Sequence, residues 1–226
     1  MNTLTNEATQ IDTRTRLLQA SLAIFAHRDF EAVSVREIVE RAGANIGAIS
    51  YHFGGKQGLY LATAKFLADA LQAQLGPLLT QTRAGAEQAD PVTAGKLLDQ
   101  MIHGLVHNLT MDRLGDDAAG FILREQHQPT AAFDILYDRL MLPIQLTYRL
   151  LVSRILDNRE SNTRQEILIT HALIGQILAF RTARTTVLRR LAQADFSDSD
   201  AEEIANVIST LTLSALQAEH MRKSSQ

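Results

Sequence analysis

The sequence predicts an all-α protein, and three observations support that fold class. Apolar residues recur at spacings of three and four along nearly the whole chain, which is the period of amphipathic helices. The β-branched alternation that would indicate strands is absent from the sequence. Proline occurs only four times in 226 residues, so few positions interrupt the helical pattern. We expect about nine helices, in a three-helix N-terminal domain and a larger helical C-terminal domain.

Composition excludes several classes of protein. The chain has no cysteine, which excludes disulfide frameworks and thiolate metal sites and favours a cytoplasmic location. Residues 1–12 have neither a basic start nor an apolar stretch, so we expect a disordered N-terminal arm rather than a secretory signal. No uncharged apolar run reaches the ~18 residues that span a membrane. The net charge is −3, so a surface for an anionic partner would have to be local.

The first two helices are predicted from local signals. An amphipathic pattern begins at residue 12 or 13 and continues to about residue 27. Ser34 and Glu37 have the spacing of a capping box, which places the start of the second helix near Val35. Gly43 stands where a residue in the left-handed conformation would end that helix.

A short third helix is predicted after this glycine turn. Asn45 can cap it, and Ile46, Ile49 and Phe53 are expected to face the core. A helix, a tight turn and another short helix form a helix-turn-helix, so we predict that motif here. The face directed away from the core would then hold Gly47, Ala48, Ser50, Tyr51 and His52.

The remaining elements have less sharply predicted boundaries. A long fourth helix is expected from Lys56 to about residue 81, followed by a loop over the Ala- and Gly-rich segment 82–95. Pro143 has no amide hydrogen and crowds the carbonyl of Arg139, so we expect a kink or break there. Five further helices are predicted at about 93–111, 117–128, 130–157, 163–192 and 199–221.

The last two of these helices contain long uncharged stretches. No charged residue occurs between Glu166 and Arg181, or between Glu203 and Glu219. Their apolar residues spread over more than one helical face, so we predict that both helices pair with their copies in a homodimer. Central burial of both helices within a monomer is the alternative. The predicted interface residues are Ile167, Ile174, Leu178, Ile204, Ile208, Leu211 and Ala215.

The region of the predicted helix-turn-helix carries a dense set of motif residues: Ile38, Ala42, Gly43, Gly47, Ile49, Tyr51, His52, Phe53, Lys56 and Leu59. In these residues the chain resembles the N-terminal DNA-binding domain of the TetR family of transcriptional regulators. The resemblance implies a DNA-binding domain at 13–60, a regulatory and dimerisation domain at 61–226, and a non-enzymatic repressor without a cofactor. A second set is similar to the CecR-type subgroup: Arg124, Glu125, Pro129, Thr130, Phe133, Tyr137 and Pro143.

The third helix is the predicted DNA-contacting element. The resemblance implies that it lies in the major groove of a palindromic operator, with Tyr51 and Lys56 at positions that family members use for phosphates. Small residues on its outward face permit close approach to DNA, and Lys56 adds a charge at a helix start. No Arg or Lys lies between Arg41 and Lys56, which excludes the bidentate guanine contact from this helix. The predicted DNA-binding residues are Ser34, Arg36, Asn45, Gly47, Ala48, Ser50, Tyr51, His52 and Lys56.

A small-molecule pocket is predicted in the central helices. Aromatic, flexible apolar and neutral polar residues lie near Pro143, and this mixture is typical of ligand pockets. For each of these positions the alternative is an ordinary core residue whose polar group is hydrogen-bonded within the protein. We expect a small, mostly apolar effector that releases the protein from DNA, and Arg124 would favour an acidic or carbonyl-bearing compound. The predicted lining is Phe121, Arg124, Gln128, Phe133, Tyr137, Met141, Gln145, Tyr148, His171 and Gln176.

A cluster of possible metal ligands indicates an alternative function. Asp99, His103 and His107 are spaced by four residues and would share one helical face, which is a reasonable geometry for metal ligands. The signature motifs of hydrolases, zinc proteases, dinucleotide-binding enzymes and phosphate loops do not occur in the sequence. We therefore predict a partly exposed structural face without a metal, and keep a helical metal-binding protein or enzyme as the alternative.

Overall fold

A computed structural model of the chain describes residues 3–110, 115–157 and 164–224. Every regular element in these ranges is helical, which confirms the predicted fold class. No helix in them has an apolar stretch long enough to cross a membrane. The helices are α1 (Thr3–Phe25), α2 (Val35–Ala42), α3 (Gly47–Phe53), α4 (Lys56–Ala86), α5 (Pro91–Thr110), α6 (Asp116–His127), α7 (Ala131–Leu136), α8 (Leu142–Ile155), α9 (Arg164–Thr182), α10 (Arg184–Leu191) and α11 (Asp198–Ser224), with a π-helical turn at Tyr137–Met141.

The chain divides into two compact units, each built from two separate segments. The first unit comprises Met1–Gln72 and Gly115–Leu140, and the second comprises Ala73–Leu114 and Met141–Gln226. The sequence-based division at residue 60 differs from this one. Because the side chains of α6 pack against α1 and the start of α4, the segment 115–140 joins the first unit although it is distant from it in sequence.

Local capping fixes the ends of α2 as predicted. The Ser34 hydroxyl accepts a hydrogen bond from the Glu37 N–H at 3.2 Å, and the Ser34 N–H donates to the Glu37 carboxylate at 2.9 Å. These two bonds form the predicted capping box. Gly43 has φ +59°, a conformation that favours glycine, and its N–H bonds back to Glu40 and Val39.

The start of α3 agrees only partly with the prediction. Asn45 Oδ1 accepts a hydrogen bond from the Gly47 N–H at 2.9 Å, so the predicted capping side chain is present. Ile49 is buried, but Ile46 is 52% exposed, and its predicted inward orientation is wrong. Since α3 begins at Gly47, Ile46 belongs to the turn and lies off the buried face of the helix.

Two helices are longer than the sequence indicated. The helix α1 begins at Thr3, so most of the arm 1–12 that was predicted to be disordered is helical. Residues 1 and 2 of that arm lie outside the described ranges. The predicted loop at 82–95 is largely wrong, because α4 continues to Ala86 and α5 begins at Pro91. Asp90 caps α5 through hydrogen bonds of 2.9 Å from the N–H groups of Val92 and Thr93. Alanine favours helices, and a Cβ atom at Gly85 would lie 3.2 Å from the side chain of Leu97 in α5.

The predicted interruption at Pro143 is confirmed. It occurs one turn earlier as the π-helical turn Tyr137–Met141, and Pro143 occupies the first turn of α8, where its missing amide hydrogen is not needed. The single helix predicted over 130–157 is therefore α7, a π-helical turn and α8. The helix predicted over 163–192 is likewise divided at Ala183 into α9 and α10, and residue 163 lies outside the described ranges.

The core of the second unit lies between α5, α8, α9 and α11. Buried residues of α5 include Leu98, Met101 and Ile102, and those of α8 include Tyr148 and Leu151. Burial of such side chains supplies roughly 1.5–3 kcal/mol each, and this apolar burial holds the unit together.

Candidate nucleic-acid interface

The short helix α3 is held in place on its buried face and at its C-terminal end. Ile49 is 1% exposed and anchors the middle of the helix in the first unit. At the end of α3, Gly54 and Gly55 have φ of +71° and +126°, and together they turn the chain into α4. A Cβ atom at Gly58 would lie only 1.8 Å from the Phe53 carbonyl oxygen. The first turn of α4 therefore contacts the end of α3 directly, and this contact requires glycine.

The outward face of α3 consists of small and flat polar residues. Asn45, Gly47 and Ser50 are exposed, and Tyr51 is 74% exposed. The ring of Tyr51 makes an edge contact with the ring of His52, with 4.9 Å between their centroids. Ala48 and His52 are half-buried. The predicted face thus contains several groups that can approach a nucleic acid without a charged residue among them.

Cations from other elements lie around this face. Lys56 Nζ lies 4.3 Å from the centroid of the Phe30 ring, and the guanidinium of Arg14 lies 5.5 Å from that of Phe53. The Arg16 guanidinium approaches the turn between α2 and α3, within 3.6 Å of where a Cβ of Gly43 would stand. Sequence reasoning missed Arg14 and Arg16, since they precede α3 by about thirty residues and only the fold brings α1 beside it.

Two residues of α2 and its cap were also predicted to contact DNA. Arg36 is exposed and free to turn outward, as is Arg41 at the end of the same helix. Ser34 instead uses both its N–H and its hydroxyl in the capping box. Hydrogen bonds that the Ser34 N–H and hydroxyl donate to the Glu37 carboxylate, together with the Arg28 guanidinium, lower the pKa of Glu37 to about 2. Ser34 therefore positions α2, and its assignment as a DNA contact stays a prediction.

Five residues of the predicted effector pocket lie in the first unit, and two of them, Phe121 and Arg124, contact residues of α1 and α4. Phe121 is fully buried, and its ring lies 5.1 Å from the ring of Tyr60. Arg124 donates to the Phe25 carbonyl at 3.0 Å and forms an ion pair with Asp29. These contacts hold α6 to α1 and α4, and the assignment of Phe121 and Arg124 as ligand contacts stays a prediction. Gln128 is exposed, and Tyr137 stacks on Phe133 at 5.9 Å.

The other predicted pocket residues lie in the second unit. Tyr148 is fully buried, and its hydroxyl has no hydrogen-bond partner within the described chain. Burial raises the pKa of Tyr148 well above its usual range, so the hydroxyl is a neutral polar group in an apolar core. Met141, Gln145 and Gln176 are half-buried, whereas His171 is exposed. Among the predicted pocket residues of the second unit, Tyr148 thus combines full burial with a hydroxyl that has no partner within the described chain.

The predicted dimer residues divide into exposed and buried groups. Ile204 and Ile208 are 8% and 2% exposed, since they face the core of their own unit, and this corrects their assignment to an interface. Ile174 is half-buried. The exposed residues are Ile167, Leu178, Leu211 and Ala215, and the structure adds Leu168 and Val207. We call these six residues the apolar face of α9 and α11.

The possible metal ligands of α5 are paired with acids of α11. His103 lies 3.6 Å from the Asp99 carboxylate and 3.4 Å from that of Glu202, while His107 lies 4.0 Å from Asp198. Asp99 also accepts a hydrogen bond from the Ser209 hydroxyl. Within the described ranges, no three His, Asp or Glu side chains form a group that could hold a metal ion. The contacts observed are those of a structural helix pair.

Known proteins with similar sequences are transcriptional regulators. Residues 17–63 match the bacterial regulatory proteins of the tetR family, and residues 94–219 match the C-terminal domain of the HTH-type transcriptional dual regulator CecR. CecR of Shigella flexneri is 34% identical over 195 residues, which cover 85% of this chain and 86% of that protein.

Two solved structures have the same fold. A TetR-like transcriptional regulator from Rhodococcus sp. RHA1 has a TM-score of 0.56 at 20% identity, covering 90% of this chain and 95% of its own. A TetR-family protein from Mesorhizobium loti MAFF303099 has a TM-score of 0.59 at 17% identity, covering 91% and 97%. Together with the exposed helix-turn-helix and the match to more than half of the chain, these similarities show that the protein belongs to the TetR family of transcriptional regulators, with a CecR-type C-terminal domain.

Proposed function

We propose that this DNA-binding regulator acts in the cytoplasm as a homodimer, binds a palindromic operator, and is released from it by a small, mostly apolar molecule. The observation that carries the proposal is the outward face of α3, which is polar, anchored by Ile49 and Gly58, and bordered by cations from α1 and α4. No catalytic step is part of the proposal.

The operator would be read without a guanine-binding arginine on α3. Asn45 and Ser50 can exchange hydrogen bonds with base edges, and the exposed ring of Tyr51 can contact a thymine methyl group. Lys56 and Arg14 would bind phosphates on either side of the groove, where they fix orientation but carry no base information. Sequence-dependent DNA shape would contribute the remaining specificity.

The apolar face of α9 and α11 is the proposed dimer interface. Leu168 and Leu211 are 57% and 60% exposed, which is unusual for helices whose neighbouring faces are buried. A twofold pairing of these helices with their copies would cover the face from both sides. It would also supply two copies of α3 for successive major grooves, which are about 34–36 Å apart.

Tyr148 is the proposed polar anchor for the effector. A ligand with a hydrogen-bonding group would satisfy its buried hydroxyl, and an apolar body would suit the surrounding core. Since α4 contributes residues to both units, ligand binding could alter DNA affinity through that helix. A hundredfold release requires only about 2.7 kcal/mol of coupling, and the operator must weaken ligand binding by the same factor.

Repression is the proposed outcome where the operator overlaps the polymerase site. The Shigella flexneri relative is described as a dual regulator, so an operator upstream of a promoter could instead give activation in this protein as well. The position of the operator would then decide between the two outcomes.

Selection of duplexes from a random pool with the full-length protein tests the proposal. We expect one enriched palindrome whose protected half-sites lie about one helical turn apart. Thermal-shift screening of a compound library, followed by titration of that duplex with each hit, tests the effector. Failure to enrich any duplex would contradict specific DNA binding, and hits that leave duplex affinity unchanged would contradict the coupling.

A further inference from the structure

A fully buried carboxylate joins three helices of the first unit. Glu125, near the end of α6, is 0% exposed. Its Oε1 accepts a hydrogen bond of 2.5 Å from the Tyr60 hydroxyl, which belongs to the second turn of α4. Its Oε2 accepts 3.0 Å hydrogen bonds from the N–H and the hydroxyl of Thr130, the residue that caps α7. Glu125 therefore links α4, α6 and α7 through neutral donors.

The Tyr60 side chain continues this link toward the proposed DNA surface. Its ring makes edge contacts with Phe25 at 4.8 Å and Phe30 at 5.0 Å. Phe30 in turn lies 4.3 Å below the ammonium group of Lys56, a proposed phosphate contact. An unbroken series of contacts thus runs from Glu125 to the first turn of α4.

The same turn of α4 is bound to α3. Gly58 lies between Lys56 and Tyr60 in sequence, and its lack of a side chain lets the Phe53 carbonyl approach the helix. Any shift of the first turn of α4 must therefore shift the end of α3. An apolar contact at Tyr60 would tolerate sliding, whereas a buried hydrogen bond is lost after a displacement of less than 1 Å or so.

We propose that the hydrogen bond between Tyr60 and Glu125 positions the first turn of α4, and through Gly58 the helix α3, for operator binding. Tyr60 and Glu125 are thus positioning residues that touch no DNA themselves, and the inference rests on the proposed function. Burial and the neighbouring carboxylate raise the pKa of Tyr60 well above its usual range, so the hydroxyl remains a donor at neutral pH.

Tyr60→Phe is the central variant, and Thr63→Val is its matched control. Thr63 is one turn further along α4 and is also fully buried, with its hydroxyl 2.8 Å from that of Ser21 in α1. Both changes remove one buried hydroxyl of α4, but only the first breaks the link to Glu125. With the duplex selected by the wild-type protein, we expect Tyr60→Phe to weaken binding by about tenfold with an unchanged salt slope, and Thr63→Val by less than about twofold.

A double variant separates positioning from stability. Tyr60→Phe alone leaves Glu125 without one of its donors, and Glu125→Leu alone leaves the Tyr60 hydroxyl without its acceptor. The combination Tyr60→Phe/Glu125→Leu replaces both partners by apolar groups, so it should recover much of the lost stability in urea. We expect operator affinity to stay reduced by about tenfold in this variant, and amide exchange at residues 54–59 to stay faster than in the wild type.

Several results would overturn the inference. Equal loss of affinity in Tyr60→Phe and Thr63→Val would show general loosening of the first unit, and recovery of affinity together with stability in the double variant would show a purely structural role. Wild-type affinity in folded Tyr60→Phe would also exclude positioning. A wild-type protein that enriches no duplex would instead contradict the proposed function, before any variant is compared.

Discussion

The two units of the molecule treat their buried hydroxyl groups differently. In the first unit, the hydroxyls of Tyr60 and Thr63 both have hydrogen-bond partners, in Glu125 and Ser21. In the second unit, the buried hydroxyls of Thr110 and Thr147 bond to backbone carbonyls, but those of Tyr148, Thr170 and Thr212 have no partner within the described chain. A buried hydroxyl without a partner costs roughly 1–3 kcal/mol of stability. Among the described residues, the second unit therefore leaves more of its buried hydrogen-bonding groups without a partner than the first.

The exposed surfaces of the two units also differ in polarity. The first unit presents polar residues of α3 and nearby cations, which suit water and phosphate equally. The second unit presents the apolar face of α9 and α11, which suits neither. This contrast supports the proposal that the first unit binds DNA and that a second copy and a ligand complete the second unit.

The largest effect is expected at the apolar face. Leu211→Glu places a charge at the proposed dimer interface, so the dimer should dissociate about a hundredfold more readily. Leu191→Glu is the matched control, because Leu191 is 53% exposed on α10 while Leu211 is 60% exposed, and Leu191 lies outside that face. Sedimentation velocity at micromolar concentration should show monomers only for Leu211→Glu. A wild-type protein that sediments as a stable monomer would refute the interface.

Removing the hydroxyl should lower the free energy of unfolding at Tyr60 but not at Tyr148. Tyr60→Phe leaves the Glu125 carboxylate short of a donor and should destabilise the fold by about 2 kcal/mol. Tyr148→Phe removes a hydroxyl without a partner, so the free energy of unfolding should stay the same or rise by up to about 1 kcal/mol. Urea denaturation of both variants measures the difference. Similar destabilisation by both would mean that Tyr148 has a partner in solution.

Sequence reasoning succeeded where the determining contacts are local. The ends of α2 follow from Ser34, Glu37 and Gly43, which lie within ten residues of one another. It missed contacts between residues that lie far apart along the chain. Arg124 fitted a ligand pocket by its chemistry, but Asp29, 95 residues earlier, is its ion-pair partner.

The buried link at Glu125 shows the same limit. The motif that contains Glu125 and Thr130 was visible in the sequence, but the donor Tyr60 is 65 residues away and was marked only as the last residue of the predicted DNA-binding domain. The buried side of α11 was equally hidden, because an uncharged helix does not show which of its faces meets the core. Ile208 and Leu211 differ in burial although both are apolar and only three residues apart.

A smaller effect is expected from the cation at the start of α4. Lys56→Ala should weaken binding to all duplexes by about tenfold and reduce the salt slope by about one, because it removes one phosphate contact. Lys65→Ala, an exposed lysine further along α4, is the control and should leave both unchanged. Fluorescence titrations across a range of salt concentrations measure the slope. A change in base preference in Lys56→Ala would contradict a phosphate-only role.

The smallest effect concerns two similar caps, one in each unit. Glu37 in the first unit and Asp200 in the second both accept hydrogen bonds from the serine three residues before them, and these bonds lower the pKa of both carboxyls. Glu37 has an additional cation, Arg28, whereas Asp200 has the neutral side chain of Gln193. Salt screens the charged partner more than the neutral one.

Both caps should contribute stability above the ordinary carboxyl pKa and lose it as the pH falls through the lowered value, which for Glu37 is about 2. Raising the salt concentration from about 0.05 M to about 0.5 M should move the Glu37 pKa upward more than that of Asp200, since only Glu37 depends on a guanidinium. Carboxyl NMR titration at the two concentrations measures both shifts. Glu37→Gln keeps the capping geometry without the charge, so it should remove the acid-dependent loss of stability at this cap. Equal salt shifts at the two caps would show that the serine hydrogen bonds alone set both pKa values.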